Sequence, residues 1–176
     1  TVLSMVGAES LDIAPERVTA ELGDSALPEG GLSGASSATV SAGTATMTAS
    51  SKVIEELLAL ASAPGAPFAG REVSYADGRI FADGESLTFG ELLRAINRES
   101  VSVTGFTAPG EELTKHSFGS FGAQFCEVWV HRWTREVRVS RMLGVFDAGR
   151  IINPELARSQ LMGGMIWGVS AALHEG

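Results

Sequence analysis

Residues 147–155 read Asp-Ala-Gly-Arg-Ile-Ile-Asn-Pro-Glu, and this stretch joins the end of a strand to the start of a helix. The side chain of Asn153 can accept hydrogen bonds from the first free N–H groups of a helix. Pro154 suits the first helical position, and Glu155 favours the positive end of the helix dipole. The sequence therefore predicts that a helix begins at this point.

One face of this helix carries a polar amide. Leu156, Gln160, Gly163 and Trp167 are three or four positions apart, so they share a face that is otherwise apolar or small. We therefore expect Gln160 to be buried. Two interpretations stay open: a core glutamine that backbone groups satisfy, or a ligand contact, because an amide offers two donors and an acceptor oxygen.

Composition limits the kinds of function that the chain can have. With 176 residues, 44% of them hydrophobic, the chain is long enough for a core, and we expect residues 1–176 to form a single domain. The net charge is −8, with only two lysines among thirteen basic residues, so nucleic-acid binding is not expected. Four arginines form a local exception that we interpret as a solvated hairpin edge. They are Arg132, Arg135, Arg138 and Arg141.

The cysteine and histidine content argues against several metal and redox sites. The single Cys126 excludes an internal disulfide, a CxxC pair and a cysteine set for an iron–sulfur cluster within this chain. We expect Cys126 to be a small buried side chain on a strand. His116, His131 and His174 lack the helical spacing of a zinc site, so any metal is expected to arrive in a cofactor.

No signal peptide or membrane span is evident. The most apolar stretch, residues 161–173, is too short to cross a bilayer, so we expect a soluble protein without a membrane partner. The chain begins at Thr1 without a methionine and ends at Gly176 directly after a helical pattern. We therefore expect it to be part of a longer chain.

Three earlier segments have the hydrophobic period of a helix. They are residues 2–11, 47–60 and 89–99. The last of them follows Thr88, and Glu91 stands three positions later, which together predict a capping box.

Strand patterns complete an α+β prediction. Residues 17–22 alternate like a strand, and two Asp-Gly turn dipeptides predict a small β-meander over residues 72–87. Residues 117–146 predict a long β-hairpin, in which Arg141 falls on the apolar parity, so a bulge or a paired arginine is expected nearby. The fold class is therefore α+β: a long β-hairpin and a small β-meander with three or four helices packed on the sheets.

Residues 28–46 contain almost no large side chains, and this segment again leaves two interpretations open. One is a flexible linker of the Gly/Ser type. The other is a loop that leads into a helix start and holds an anion such as phosphate, through backbone N–H groups and the hydroxyls of Ser36, Ser37 and Thr39. The segment has neither the Walker lysine nor the GxGxxG spacing.

With these segments in place, the chain resembles the molybdopterin-binding large subunit of the xanthine dehydrogenase and aldehyde oxidase family, the molybdenum hydroxylases. Three segments carry the resemblance in order: residues 18–24 with the Gly/Ser/Ala loop, Ser-Phe-Gly-Ser-Phe-Gly-Ala-Gln-Phe-Cys-Glu-Val at 117–128, and residues 147–168 with Gln-Leu-Met-Gly-Gly. The last segment is most similar to bacterial aldehyde oxidoreductases.

The resemblance implies a cofactor site in two parts. Gln160 matches the glutamine that hydrogen-bonds the molybdopterin, and no residue is implied as a metal ligand. Ala38 replaces a hydroxyl residue that is frequent in the family, which removes one phosphate donor. The family's cofactor loop corresponds to Gly34, Ala35, Ser36, Ser37 and Ala38.

The resemblance also implies an activity for the longer parent protein. This is the oxidation of an aldehyde or N-heterocycle, with water as the oxygen source and a molybdenum–molybdopterin cofactor in its cytosine-dinucleotide form. Electrons would leave through 2Fe-2S and FAD groups on partner subunits. A cytoplasmic location is favoured, and export of the complex to the periplasm stays open.

No catalytic residue is expected within the chain, because the family's general-base glutamate belongs to a segment beyond residue 176. The 176 residues are thus expected to be part of a molybdenum cofactor-binding domain, to contact the rest of the parent subunit, and to be inactive alone. The alternative is a non-catalytic scaffold or subunit-interaction module that uses the hairpin.

Overall fold

The computed structural model describes residues 1–175, which form two compact units. Unit 1 spans Thr1–Ala108, and unit 2 begins at Pro109. The first unit contains a small three-stranded sheet and the second a two-stranded hairpin. Together with four helices longer than one turn in the described residues, they confirm the predicted α+β class.

Unit 1, all of which the structure describes, contains three α-helices. They are α1 (Val2–Ser10), α2 (Ala38–Ser62) and α3 (Phe89–Ala95). The first confirms its prediction, and the last is shorter than predicted. Helix α2 begins nine residues before its predicted start at residue 47, so the interpretation of residues 38–46 as a flexible linker is wrong.

The hydroxyl side chains in the first part of α2 are accommodated within the helix. Thr44 donates to the carbonyl of Val40 at 2.6 Å, and Thr46 donates to that of Ala42 at 2.7 Å. Because these hydroxyls bond to the preceding turn, they do not compete with the helix, and the alanines between them favour it. The segment lacks large apolar residues, so hydrophobic periodicity could not reveal it.

The predicted meander is confirmed as β1 (Ser74–Ala76), β2 (Arg79–Ala82) and β3 (Glu85–Thr88), antiparallel in that order. Its two turns use the predicted Asp-Gly pairs. Asp77 and Gly78 have φ of 49° and 66°, and the second pair has φ of 49° and 86°. Positive φ at both central residues is the geometry of a tight hairpin turn, which Asp-Gly favours.

The core of unit 1 lies between the meander and helices α2 and α3. Ile80 of β2 and Leu92 of α3 are fully buried. The Tyr75 hydroxyl donates to the carbonyl of Leu11, which ties the end of α1 to the sheet, and burial raises the Tyr75 pKa to about 12. The buried cluster comprises Leu57, Ala61, Phe68, Ile80, Ala82 and Leu92.

The predicted strand at residues 17–22 is wrong. Pro15–Arg17 form a single 3-10 turn, and residues 18–22 have no regular structure. Val18 is half-buried, but Leu22 is 78% exposed. Alternation alone does not make a strand, because the backbone also needs a neighbouring strand to pair with, and no strand in the described residues pairs with this segment.

Unit 2 contains a one-turn helix α4 (Glu112–Lys115), strands β4 (Phe121–Val130) and β5 (Val137–Asp147), and helix α5 (Pro154–His174). The two strands form the predicted antiparallel hairpin. Glu127 pairs with Arg141, whereas the next residue, Val128, pairs with Val139. The extra residue, Ser140, is the expected bulge. None of the helices in residues 1–175 is long and apolar enough to cross a bilayer.

Gly105 allows a close approach between residues 101–107 and α2. The ammonium group of Lys52 donates to the carbonyl of Thr104 at 3.0 Å. A Cβ atom on Gly105 would overlap the carbonyl oxygen of Ala45 and lie 2.6 Å from the amide nitrogen of Ala49. Because both are helix backbone atoms, neither can move aside cheaply.

We therefore expect Gly105→Ala to lower the free energy of unfolding by about 1–3 kcal/mol through overpacking. Urea denaturation checks this. Gly90→Ala is the matched control, because a Cβ there meets nothing within 4 Å, so its stability should be unchanged or slightly raised. Equal effects of the two substitutions would contradict the close approach.

The capping box of α3 predicts an acid-sensitive contribution to stability. The Thr88 backbone N–H donates to the Glu91 carboxylate at 2.8 Å, and this bond, with that of the Thr88 hydroxyl, lowers the Glu91 pKa. A lowered folded-state pKa stabilises the fold above the unfolded-state pKa, and the contribution is lost as pH falls through the folded-state value.

Glu91→Gln should therefore be less stable than the parent chain at neutral pH. The gap should close as pH falls through the lowered Glu91 pKa, because glutamine keeps an acceptor oxygen but has no charge. Thermal denaturation across pH checks this, with Glu99→Gln as the control outside the box. A gap that does not change with pH would contradict it.

Candidate functional site

Helix α5 begins as its sequence predicts. Asn153 has an extended backbone, and its side-chain oxygen accepts from the Leu156 N–H at 3.0 Å. Pro154 occupies the first turn, and Glu155 lies near the positive end of the helix dipole. The start of α5 is thus fixed, and with it the direction in which every later side chain of the helix points.

Gln160 is exposed, so the prediction that it is buried is wrong. The face of α5 that lies against the hairpin is a different one. It contains Leu161 and Met165, and a Cβ on Gly144 of β5 would lie 2.7 Å from the Met165 sulfur. Helix α5 has two apolar faces, and spacing alone could not show which of them packs on the hairpin.

The Gln160 amide makes no hydrogen bond within the described residues. Its neighbours on the same surface, Gly163 and Gly164, are open, because a Cβ at either position would meet nothing within 4 Å. Trp167, one turn further along, is 72% exposed. The arrangement is an amide without a partner in the described residues, on an open and partly aromatic surface, which suits the polar edge of a heterocycle.

The predicted cofactor loop is a tight turn that leads directly into α2. Ala35 and Ser36 have φ of 50° and 57°. Such left-handed backbone is uncommon for residues other than glycine. The Ser37 hydroxyl donates to the Gly34 carbonyl at 2.8 Å, so it holds the turn and does not cap the helix. Of the five loop residues, Ala38 is already the first of α2.

The N-terminus of α2 therefore has no side-chain cap within the described residues. The first helical hydrogen bond runs from the Ser41 N–H to the Ser37 carbonyl at 2.9 Å. The amide groups of Ala38, Thr39 and Val40 precede it, and all three residues are exposed. Uncapped N–H groups at the positive end of a helix dipole, beside small side chains, suit a phosphate oxygen.

The two parts of the predicted site belong to different units. The loop of residues 34–38 lies in unit 1, and Gln160 lies in unit 2. Within residues 1–175, no group of three or more histidine, cysteine or acidic side chains is placed to hold a metal ion.

Cys126 corrects a further prediction, because it is exposed and not buried. Every residue of β4 is exposed, so neither face of that strand is covered by the described chain. The four arginines of the hairpin region are also exposed, and Arg138 pairs with Glu136 at 2.9 Å. This agrees with a solvated hairpin edge.

Sequence reasoning missed an apolar groove between β5 and α5. It has a volume of about 810 Å³ and is lined by side chains such as Met142, Phe146, Leu161 and Met165. The signal was present as a second helical stripe in α5, at positions 157, 161, 165 and 169. This stripe is distinct from the face that carries Gln160.

Comparison with known protein families places the whole chain in one family. A family model described as the molybdopterin cofactor-binding domain matches residues 1–176. The chain belongs to this family. The match confirms the resemblance seen in the sequence. It places the chain among the aldehyde oxidoreductases and xanthine dehydrogenases.

Several relatives match along 99% of the chain. It is 37% identical to the aldehyde oxidoreductase molybdenum-binding subunit PaoC of Escherichia coli (strain K12). It is 28% identical to the 6-hydroxypseudooxynicotine dehydrogenase complex subunit gamma of Paenarthrobacter nicotinovorans. It is 29% identical to the probable hypoxanthine oxidase XdhD of E. coli (strain K12). The chain spans 23% of the length of the first two relatives and 18% of the third.

The groups at both positions fit a molybdopterin cofactor. Uncapped amides at the start of α2 match the phosphate part of such a cofactor, and the free Gln160 amide matches the donors and acceptors of a pterin ring. The small residues of the loop leave room for backbone to approach a ligand.

Proposed function

We propose that residues 1–176 are part of one molybdenum cofactor-binding domain in a longer oxidoreductase, and that they position the cofactor. The observation that carries this proposal is that both sequence-matched positions present exposed polar groups that have no hydrogen-bond partner among residues 1–175. These groups are the first-turn amides of α2 and the side chain of Gln160. Polar groups left free beside small residues are available to a ligand.

In this proposal the loop and the amide have separate tasks. The loop of Gly34, Ala35, Ser36, Ser37 and Ala38 approaches the cofactor. The first-turn amides of α2, which begin at Ala38, hold a phosphate of the cofactor, and Gln160 orients the pterin. Neither group moves a proton. The contribution of this chain is therefore binding and orientation, which is what a protein supplies to cofactor chemistry.

The substrate is an aldehyde or an N-heterocycle, with water as the source of oxygen. Bound molybdenum–molybdopterin supplies the two-electron oxidation chemistry. The names of the relatives support this range, because they include an aldehyde oxidoreductase and a probable hypoxanthine oxidase. We assign the cofactor to the cytosine-dinucleotide form on the similarity to bacterial aldehyde oxidoreductases.

Partner subunits with 2Fe-2S and FAD groups accept the electrons. The names of two relatives, a molybdenum-binding subunit and a dehydrogenase complex subunit, describe proteins that work in assemblies. Because residues 1–176 contain no proposed catalytic residue, we propose that they are inactive alone. A full-length protein purified from a molybdenum-replete host should contain molybdenum, and its absence by elemental analysis would refute the proposal.

Replacing the Gln160 amide should weaken cofactor retention without destabilising the protein. Each lost hydrogen bond contributes about 0.5–1.5 kcal/mol, so we expect Gln160→Ala to retain the cofactor roughly tenfold less well. The melting temperature of the molybdenum-free protein should not change, because the amide has no partner in the described chain.

Molybdenum content per polypeptide and differential scanning fluorimetry measure the two effects. Ser159→Ala is the matched control on the same helix, because the Ser159 hydroxyl is already bonded to the Glu155 carbonyl at 2.9 Å. A loss of stability with unchanged molybdenum content would instead favour a purely structural role for Gln160, as in a scaffold module.

A negative charge at the start of α2 should have opposite effects on helix stability and on cofactor binding. Ala38→Glu places a carboxylate in the first turn, where the dipole stabilises it by about 0.3–1 kcal/mol. The same charge repels a phosphate. We therefore expect the melting temperature of the molybdenum-free protein to hold or rise while the molybdenum content of the loaded protein falls.

Ala38→Gln is the control, because glutamine has nearly the same size without the charge. It should retain more molybdenum than Ala38→Glu. Equal molybdenum content in the two variants would show that the N-terminus of α2 does not hold an anionic part of the cofactor.

A further inference from the structure

Strand β4 has an unpaired edge. It pairs with β5 alone, so the N–H and C=O groups that point away from β5 have no strand partner within the described residues. The strand is ten residues long, and all ten are exposed. A long unpaired edge of this kind is a template for another strand.

The two strands differ in how their edges are protected. Proteins protect free edges with charges, proline or bulges. Strand β5 carries Arg138 and Arg141 and has its bulge at Ser140. Strand β4 has neither proline nor lysine, and its one charge belongs to Glu127. That carboxylate is turned to its own hairpin, where it accepts from the Trp129 ring N–H at 3.2 Å and from Ser140.

One face of the hairpin is also bare. Phe121 and Phe125 of β4 are 78% and 60% exposed, and Val145 of β5 on the same face is 60% exposed. This is the side opposite the one that Met142, Gly144 and Phe146 turn towards α5. A contiguous apolar face on a two-stranded hairpin needs a cover, because such hairpins are marginal alone.

Charged side chains border the apolar face of the hairpin but do not occupy its centre. Arg141, which pairs with Glu127, lies beside Phe125, and Asp147 pairs with Phe121 at the other end of the face. The residue pairs between these two ends carry no charge. A surface that is covered by polypeptide is depleted in charge at its centre and polar at its rim.

We propose that the free edge of β4 takes up an extended segment of the same longer polypeptide, from outside residues 1–176. This segment pairs with β4 and covers Phe121 and Phe125 with its own apolar side chains. The relatives are long enough to supply it, because the chain spans only 23% of the length of two of them. The inference rests on the proposed function, which makes the chain part of a longer oxidoreductase.

The occupant can be identified by photo-cross-linking in the full-length protein, prepared without molybdenum. A benzophenone amino acid in place of Phe125 lies beside the edge, within reach of side chains on an added strand. We expect its cross-links to map to a peptide outside residues 1–176 of the same polypeptide. The control carries the same amino acid at Thr134 in the hairpin turn and should not cross-link to that peptide.

Other occupants give distinct results, and each would overturn the proposal. Cross-links to residues 1–108 would assign the edge to unit 1. Cross-links between isotope-labelled and unlabelled copies would assign it to a second copy, and cross-links to another subunit would assign it to a partner protein. A native polypeptide with a mass of 18.4 kDa would leave no segment to bind.

Hydrogen exchange of the unmodified full-length protein gives a second measurement that needs no substitution. If β4 has a neighbour on each side, consecutive amides of residues 122–130 should all be protected. The outward-facing ones should exchange on the order of 100-fold more slowly than in an unpaired edge. Alternating protection would show that the edge is free. Because the protein is molybdenum-free, neither result depends on the proposed cofactor.

Discussion

Backbone N–H and C=O groups in a folded chain need hydrogen-bond partners. At the ends of helices and at the edges of sheets, the helix or sheet itself does not supply them. In this chain the elements meet that demand in two ways. Two helices are capped by side chains. Thr88 and Glu91 form the capping box of α3, and Asn153 caps α5, so that free amides at both helix starts have acceptors. The start of helix α2 and one edge of strand β4 have no such partner in the described residues, and each of these two elements carries part of what we propose.

The N-termini of α2 and α5 differ in whether a side chain of the protein occupies the acceptor position. In α5, the Asn153 side chain occupies the position that a ligand's oxygen would take. In α2, the side chain at the equivalent position, Ser37, bonds back to Gly34 and leaves the helix amides free. Two left-handed residues, Ala35 and Ser36, accompany this arrangement. Strained backbone beside unused donors is typical of ligand sites.

Local signals in the sequence predicted the local structure well. The Asn153 cap, the capping box of α3 and the two Asp-Gly turns each depend on residues within four positions of one another, and all are present. The hairpin was also predicted. Arg141 on the apolar parity left either a bulge or a paired arginine as the explanation, and the structure has the bulge.

Three of the errors concern which surfaces meet, and this is not a local property. The burial of Gln160 and Cys126 depended on which faces of α5 and the hairpin are covered. The strand expected at residues 17–22 has no neighbouring strand to pair with in the part of the chain that the structure describes. The start of α2 was missed for another reason. Residues 38–46 are almost all small or hydroxyl-bearing, so they show no hydrophobic period, although their hydroxyls bond within the helix.

The exposed position of Gln160 gives its proposed role a physical basis. If a cofactor covers the face of α5 that carries Gln160 and Trp167, it supplies the burial that the sequence led us to expect from protein. An amide hydrogen bond is stronger when water is excluded, and an amide buried without a partner is costly. Gln160 would then favour a ligand with complementary donors and acceptors over one that only fills space, so the same residue would contribute both affinity and selectivity.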